Sequence, residues 1–586
     1  MIRIRQLLRD QLRRIPTLER QARLLSRRRR LATGQPDWAG ILGPEREAWD
    51  RVLASSRGGT KVLVATSVGS HIAGTSLESA LAAALALRGA DVEVLLCDAA
   101  LPACLAADVT WYPDQRQFVH HGPSQDLCHG CFESGARVFR ELGLRVRRYS
   151  EYLSTEDREL AARLASEVPA ADIPQYTLSG LSVGEHALAG ALRFYARATL
   201  DAEPEAEAVL RRYFHAALLT TLATRALLGQ VPYEVAVFHH GIYVPQGLIG
   251  ECCREVGIRV VNWNPAYRKR CFIFSHGDTY HHTLMTEPTE SWENMPWSRR
   301  LEGGLLKYLE SRWNGTQDWI WFHDRPTEDI DRIGREIGVD FTRPCVGLLT
   351  NVMWDAQLHY PANAFPNMLE WVLSTIEWFA GRPDLQLIIR AHPAELRGSL
   401  VSRQPIVAEI RRRFPTLPSN VFLIGPESQV STYAVMARCN AVLIYGTKTG
   451  VELASIGIPV IVAGEAWIRN KGLTMDAVSA ADYFSLLERL PLPAAMPETQ
   501  VQRARRYAYH FFFRRMIPLD FMEPMKADVP YRVALRSFHE LEPGMSRGLD
   551  VICNGILANL PFVFPAESDA GAEADFPPAL ASTPAQ

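Results

Sequence analysis

A chain of 586 residues that is 47% hydrophobic and 22% charged is too long for one hydrophobic core and too apolar for a disorder-dominated class, so two large domains with appendages are expected. Its formal net charge of -2 excludes the overall basic character of a nucleic-acid binder. No apolar run approaches the roughly eighteen residues that span a bilayer, and arginines stand at the N-terminus where a secretory signal needs an apolar core, so a cytoplasmic protein is expected.

The near-neutral total hides an asymmetry, because residues 1–30 carry eleven Arg against Asp10 and Glu19. Ile4, Leu8, Leu12 and Ile15 share one helical face with Arg3, Arg5, Arg9, Arg13 and Arg14 around it, and Pro16 separates them from a second basic stretch ending Arg27-Arg28-Arg29-Arg30. This arm, residues 1–55, has two readings. As a helix on an anionic membrane surface, each basic residue contributes about 1 kcal/mol before salt screening. Equally, it packs on the body of the protein or on a partner. RNA is the poorer ligand, since aromatics are not interleaved with the arginines.

The first large unit, residues 56–335, opens with the buried strand KVLVAT from Lys61, the Gly-rich turn Ser67–Gly74, an Ala/Leu-rich helix Thr75–Leu87 and a second strand Asp91–Leu96. This is Rossmann-like. The turn lacks the dinucleotide fingerprint, and only Asp98, after Cys97, follows the second strand, so NAD is not expected. Residues 150–230 read as helical, and strands Glu234–Phe238 and Ile258–Val261 flank a helix Pro245–Val256. Of ten Cys, Cys97-x6-Cys104 and Cys128-x2-Cys131 cluster. They read either as ligands of a structural zinc or as buried free thiols, because tetrahedral thiolate zinc usually comes from two tight pairs.

The second unit, residues 336–500, opens with a strand at Cys345, then a helix Asn363–Phe379, a strand Leu385–Ile389 and a helix Ile406–Arg413. From Val421 to Thr474 the chain spells strand, helix, strand, helix, strand with polar groups only at the turns. Residues 501–562 read as helices, including Gln502–Met516, and 563–586 have the composition of a disordered tail. The fold class expected is α/β, two Rossmann-like domains facing across a cleft, preceded by the basic helical arm.

Ligands of doubly wound sheets sit beyond the carboxyl ends of the strands, and five successive strands of the second unit end in polar loops. Arg390 and His392 suit charge-assisted bonds to a phosphate. Ser428, Thr447 and Thr449 supply neutral donors, and the helix opening at Gly450 offers its free amides to an anion. Glu452 is placed to accept two ribose hydroxyls, and Lys471 to add a second cation. Taken singly, Arg390 also reads as a salt-bridge partner and Thr447 as a helix cap.

The Arg-x-His-Pro after a strand, the Gly-Pro-x-Ser loop and the block x-Gly-Thr-x-Thr-Gly-x-Glu-Leu-Ala-x-x-Gly-x-Pro-Val, all within residues 340–490, resemble the C-terminal half of the capsule polysaccharide biosynthesis proteins. These are GT-B glycosyltransferases that include the bacterial Kdo transferases of capsule linkers. Similar loops occur in bacterial sialyltransferases and in CDP-glycerol polymerases of teichoic acid synthesis, which use cytidine nucleotides. The resemblance implies that His392 and Arg390 contact the nucleotide phosphate and Thr447 and Thr449 its other oxygens. This chain carries threonines where the family often has paired serines. It further implies a CMP-, CDP- or UDP-linked sugar donor, a saccharide or lipid-linked acceptor, and a transfer that needs no metal because amides and cations stabilise the leaving phosphate. A general base is then expected from His71, His239 or His240 of the first unit, or from Asp355 at the cleft. Two rivals share the fold: a UDP-sugar 2-epimerase, and a non-catalytic sugar- or nucleotide-binding partner of polysaccharide export.

Overall fold

The computed structural model describes residues 16–123, 125–201, 203–313, 318–319, 326–355, 360–398, 400–493, 495–525 and 531–569. Strands β1 (Lys61–Ser67), β2 (Asp91–Leu96), β3 (Arg145–Arg148), β4 (Val235–His239), β5 (Arg259–Pro265) and β6 (Cys271–His276) form the first sheet. The first five are parallel, and β6 runs antiparallel to β5. β1 is buried on both faces along nearly its whole length, as expected of Val/Leu/Ala runs covered by helices on either side. In this sheet β1 lies between β2 and β4, pairing Val62 with both Val92 and Val235.

The second sheet is wholly parallel and comprises β7 (Cys345–Leu349), β8 (Gln386–Arg390), β9 (Val421–Ile424), β10 (Ala441–Ile444), β11 (Val460–Val462) and β12 (Met475–Asp476). Its spatial order is β12-β11-β10-β7-β8-β9. Both sheets thus reverse direction at their first strand, β1 against β4 and β7 against β10, and such a reversal leaves a crevice at the strands' carboxyl ends. Two doubly wound α/β units facing across a cleft constitute the GT-B architecture.

The C-terminal segment ties the units together. Helix Glu498–Tyr509 packs beside helix Thr449–Ser455 of the second unit, with Arg505 Nε donating to Ser455 O at 3.0 Å. After a π-helical turn, His510–Arg514, strand β13 (Ile517–Pro518) pairs antiparallel with β6, and helix Arg547–Ala558 lies on the first unit, where Arg259 donates to Ile556 O at 2.8 Å. Residues 501–562 are therefore shared between the units. This explains why helix Ile72–Leu87 is buried around its whole circumference: it sits between the first sheet and the returning chain, and Arg88 at its end pairs with Asp550 at 2.6 Å.

Several expected boundaries shift. The helix after β1 starts at Ile72, one turn before Thr75. Helix Met368–Ala380 starts five residues after Asn363, capped by the Asn367 side chain accepting from Glu370 N at 2.9 Å; Pro366 denies the preceding residues a helical course. The expected helix Gln502–Met516 is an α-helix to Tyr509 followed by the π-turn. Ile4–Ile15 and residues 570–586 lie outside the described residues.

Candidate functional site

A cavity of about 430 Å³ opens at the reversal point of the second sheet. Thr350 and Asn351 after β7, Arg390 and His392 after β8, Tyr445–Thr449 after β10 and Glu465 after β11 line it, and Tyr267, His281 and Arg312 close it from the first unit. The strand-end loops read from the sequence therefore converge on one space between the units.

Arg390 is 2% exposed. Its guanidinium holds the loop after β9, donating to Ser428 O at 3.1 Å, to Thr432 Oγ1 at 3.2 Å and to Gly425 O. Burial pulls it down to about 10, well above neutrality, so it stays cationic. His392 is fixed more sharply. Its backbone N donates to Thr350 Oγ1 at 3.0 Å, and its Nδ1 accepts the Ala394 N–H at 3.1 Å. An Nδ1 that accepts leaves the proton on Nε2, and burial, with Lys448 and Arg390 nearby, pulls the imidazole down to about 4. His392 is thus a neutral Nε2–H donor on the cavity wall.

The start of helix Thr449–Ser455 differs from expectation. Thr449 N donates to Thr447 Oγ1 at 3.3 Å, Gly450 N to Thr447 O at 3.4 Å and Val451 N to Lys448 O at 2.9 Å. These amides are engaged within the turn, so anion binding falls to side chains: the Thr447 and Thr449 hydroxyls, 3.2 Å apart, and Lys448, whose ammonium lies 4.8 Å from the Tyr267 ring centre. Gly450 is a packing position, since a Cβ there would stand 2.5 Å from Ile444 Cδ1.

Glu452, expected at a ribose, lies beneath the cavity. It is 3% exposed, and its Oε1 accepts from Lys448 Nζ at 3.0 Å and Arg312 Nε at 3.2 Å, while Oε2 accepts from Tyr433. Against the cost of burial, Arg312 and Lys448 hold its carboxyl below the usual range. Arg312 also pairs with Asp318 and lies over the Phe512 ring. Lys471 is likewise diverted: 1% exposed, it donates to Glu287 O at 2.6 Å and Met285 O at 3.3 Å, clamping one unit to the other. Ser428 is outside the lining, and its hydroxyl accepts from Val430 N at 3.2 Å.

Of the expected bases, Asp355 lines the cavity, with the Tyr243 hydroxyl donating to its Oδ1 at 2.9 Å. His71 and His239 sit behind it at the reversal point of the first sheet, their rings 4.8 Å apart. From His239 the rings continue to His240 at 5.6 Å and to His281 at 5.5 Å, so the string touches the cavity at His281. Burial, with Arg193 and His240 nearby, pulls His71 down to about 4. Burial pulls His240 down to about 4 against the pull of Asp355, and drives His239 and His281 well below their ordinary value. The string is neutral. Sequence reasoning missed His281, Tyr433 and Arg312, and gave no role to Asn351, Lys448 and Glu465, which stand in the strand-end loops it read. The His281-His282 pair just after the polar end of β6 is the signal that pointed there.

Cys97, Cys104, Cys128 and Cys131 line one small cavity of about 30 Å³ together with Arg27. Among the described residues no three His, Cys, Asp or Glu side chains are arranged to hold a metal ion. Cys131 is buried and Cys97, Cys104 and Cys128 are partly so, and burial pushes Cys104 up to about 11 and Cys128 up to about 12. Arg27 belongs to helix Pro16–Thr33, which packs on the first unit. Arg23 donates to Thr110 O at 2.6 Å, and Arg27 donates to Leu127 O at 3.3 Å and lies over Trp111. This part of the arm takes the packed reading. No helix among the described residues is long and apolar enough to cross a membrane.

No protein-family model matches the chain, and no curated protein does. Among solved structures, KpsC from Thermosulfurimonas dismutans, a beta Kdo 2,4 transferase, is 12% identical over 53% of this chain and 87% of its own, with a TM-score of 0.33. The glycotransferase of kitacinnamycin is 13% identical over 77% of this chain and 94% of its own, with a TM-score of 0.19. UDP-GlcNAc 2-epimerase from Neisseria meningitidis, bound to UDP-GlcNAc, is 10% identical over 77% of this chain and 96% of its own, with a TM-score of 0.23.

Proposed function

We propose that the chain is a glycosyltransferase that moves a sugar from a nucleotide-sugar donor to a saccharide or lipid-linked acceptor of surface-polysaccharide type. The observation that carries this reading is the two-sided cavity between the units. Its second-unit wall gathers phosphate-type donors and the Asp355 carboxylate, and its first-unit wall brings the neutral imidazole of His281 to the same space.

The donor phosphate rests against His392 Nε2–H, the Thr447 and Thr449 hydroxyls and Lys448. The acceptor enters from the first-unit side, and Asp355 of the second unit, oriented across the cleft by Tyr243 of the first, takes the proton of the attacking hydroxyl. That oxygen bonds to the anomeric carbon as the bond from this carbon to the phosphate oxygen breaks. The proton ends on Asp355 and the negative charge on the released nucleotide, where fixed donors stabilise it. His71 and His239, behind the wall, line up the imidazoles that border the acceptor side.

Purified protein incubated with CMP-, CDP- and UDP-linked sugars tests the reading. Nucleotide release that depends on added saccharide acceptor is the expected result. Epimerised donor formed without any acceptor refutes the transferase, and tight nucleotide binding with no turnover on any acceptor supports a binding partner instead.

A further inference from the structure

The phosphate-type donors occupy only one part of the cavity wall. At the end of β11 the chain places Glu465, 8% exposed and lining the cavity. Its backbone N donates to Asn363 Oδ1 at 2.9 Å and its Oε1 accepts from Ala362 N at 2.7 Å, which fixes the side chain, while Oε2 is buried without a hydrogen-bond partner among the described residues. The nearest strong cation in sequence does not neutralise it: Arg469 donates to Gly464 O at 3.2 Å and Ala477 O at 2.7 Å. Burial pushes the carboxyl above its ordinary value.

A second orphan stands beside it. Asn351, after β7, lines the same cavity, and its Oδ1 is also buried and has no hydrogen-bond partner among the described residues. Both residues border Gly446: a Cβ at that glycine would lie 3.4 Å from Glu465 O and 3.7 Å from Asn351 Nδ2. Two acceptor oxygens without donors cost free energy unless a ligand supplies O–H or N–H groups. A phosphate supplies neither, and the other carboxylates at or under the cavity have partners: Glu452 meets Arg312, Lys448 and Tyr433, Asp318 meets Tyr308 and Arg312, and Asp355 meets Tyr243.

We propose that Glu465, with Asn351 beside it, is the subsite that reads adjacent hydroxyl groups of the bound nucleotide or nucleotide sugar. The inference rests on the nucleotide-sugar reading above and deepens it by dividing the cavity into two poles. His392, Thr447, Lys448 and Thr449 meet the anion. Glu465 and Asn351 accept from a vicinal diol, which a ribose or a hexose presents with its two hydroxyls on neighbouring carbons.

The test measures affinity by calorimetry for CMP and UMP, for their 2′,3′-dideoxy counterparts, and for UDP-GlcNAc against UDP, in the wild type and in Glu465→Gln and Glu465→Ala. Circular dichroism and melting temperature confirm that the variants fold. If the diol is the ribose, the wild type prefers the ribonucleotide by about 10- to 100-fold, as for a lost bond to a charged group. The variants then bring that ratio close to one without changing dideoxynucleotide affinity. If the diol is on the sugar, the variants leave that ratio intact and instead equalise UDP-GlcNAc and UDP. Wild-type ratios in both variants overturn the assignment while the nucleotide site stands, provided His392→Ala weakens every nucleotide alike. A wild-type protein that binds no nucleotide overturns both readings.

Discussion

Removing Arg312 breaks one ionic link between the two units and strips the charge balance under the cavity. Its guanidinium, 4% exposed, bridges Asp318 and Glu452, themselves 7% and 3% exposed at their side chains. Arg312→Met keeps an apolar stem but deletes the guanidinium, with its charge, its place over the Phe512 ring and its N–H groups, including the one donated to Tyr308 at 2.9 Å. It leaves Asp318 with Tyr308, at 2.9 Å, and Glu452 with Lys448 and Tyr433. Breaking a buried ion pair from one side costs about 3–5 kcal/mol, because the abandoned charge stays desolvated. For a cooperative unit of roughly 300 residues, with an unfolding entropy near 2.1 cal/mol/K per residue, that is a fall of about 5–8 °C in melting temperature.

Scanning calorimetry reads this directly, and the cause is separable from lost packing. Adding Asp318→Asn and Glu452→Gln to Arg312→Met removes the uncompensated charges and is expected to recover most of the loss. The pH dependence has a defined sign. Glu452 is held below its ordinary value, so its contribution is fully present above about 4.5 and is lost as pH falls through the lowered value, and the gap between wild type and Arg312→Met narrows in acid. A variant melting within about 1 °C of the wild type, or a triple variant no better than the single one, refutes the electrostatic account.

Asp355→Asn is expected to leave nucleotide affinity unchanged while acceptor-dependent turnover falls by about 10²- to 10⁴-fold, as for a lost general base; an equal loss in donor binding removes Asp355 from that role. His392→Ala should weaken nucleotide binding by about tenfold, the worth of one hydrogen bond to a charged group, with turnover at saturating donor less affected. His71, His240 and His392 are each pulled to about 4, so the unfolded chain binds more protons than the folded one between that value and 6.5. Stability therefore rises across this window, by about 1–3 kcal/mol for each histidine, and is complete above 6.5. Thermal melts from acid to neutral pH check this, and a melting temperature that is flat below pH 6.5 contradicts it.

The strands β1, β2, β4, β5 and β7–β11 were legible because each is a short apolar run bounded by polar turns, and the parallel order follows from alternation with helices; β3, with three arginines in four residues, and β6 and β12 were not read. That made the ligand edge legible too, and His392, Thr447, Thr449 and Asp355 reach the cavity as the strand-end argument requires. The sequence does not say which polar side chain at a strand end faces the ligand and which satisfies its own neighbours. Lys471 meets two carbonyl oxygens of the other unit, and Glu452 meets Arg312 from a helix some 140 residues upstream. Both pairings span the two units and leave no local periodicity. The same holds for β13, which completes the first sheet from the far end of the chain. Pro16 opens the helix Pro16–Thr33, where its missing N–H costs nothing.

The distribution of partners around the cavity bears on how much charge it tolerates. Arg312 is balanced by Asp318 and Glu452, Lys448 shares Glu452, and His392 is neutral. Arg390 retains its charge but directs N–H groups to Gly425 O and Ser428 O, which orients its dipole toward the loop. The anion pole is therefore rich in hydrogen-bond donors and modest in net positive charge. Neutral donors fixed in place stabilise a developing charge without reorganising, whereas a second phosphate would enter a buried wall with little cationic compensation. Under the proposed function this balance predicts tighter binding of a donor linked through one phosphate than of one linked through two, with an affinity that depends weakly on salt because few mobile counterions are displaced; calorimetry with CMP- and UDP-linked sugars at two salt concentrations checks both.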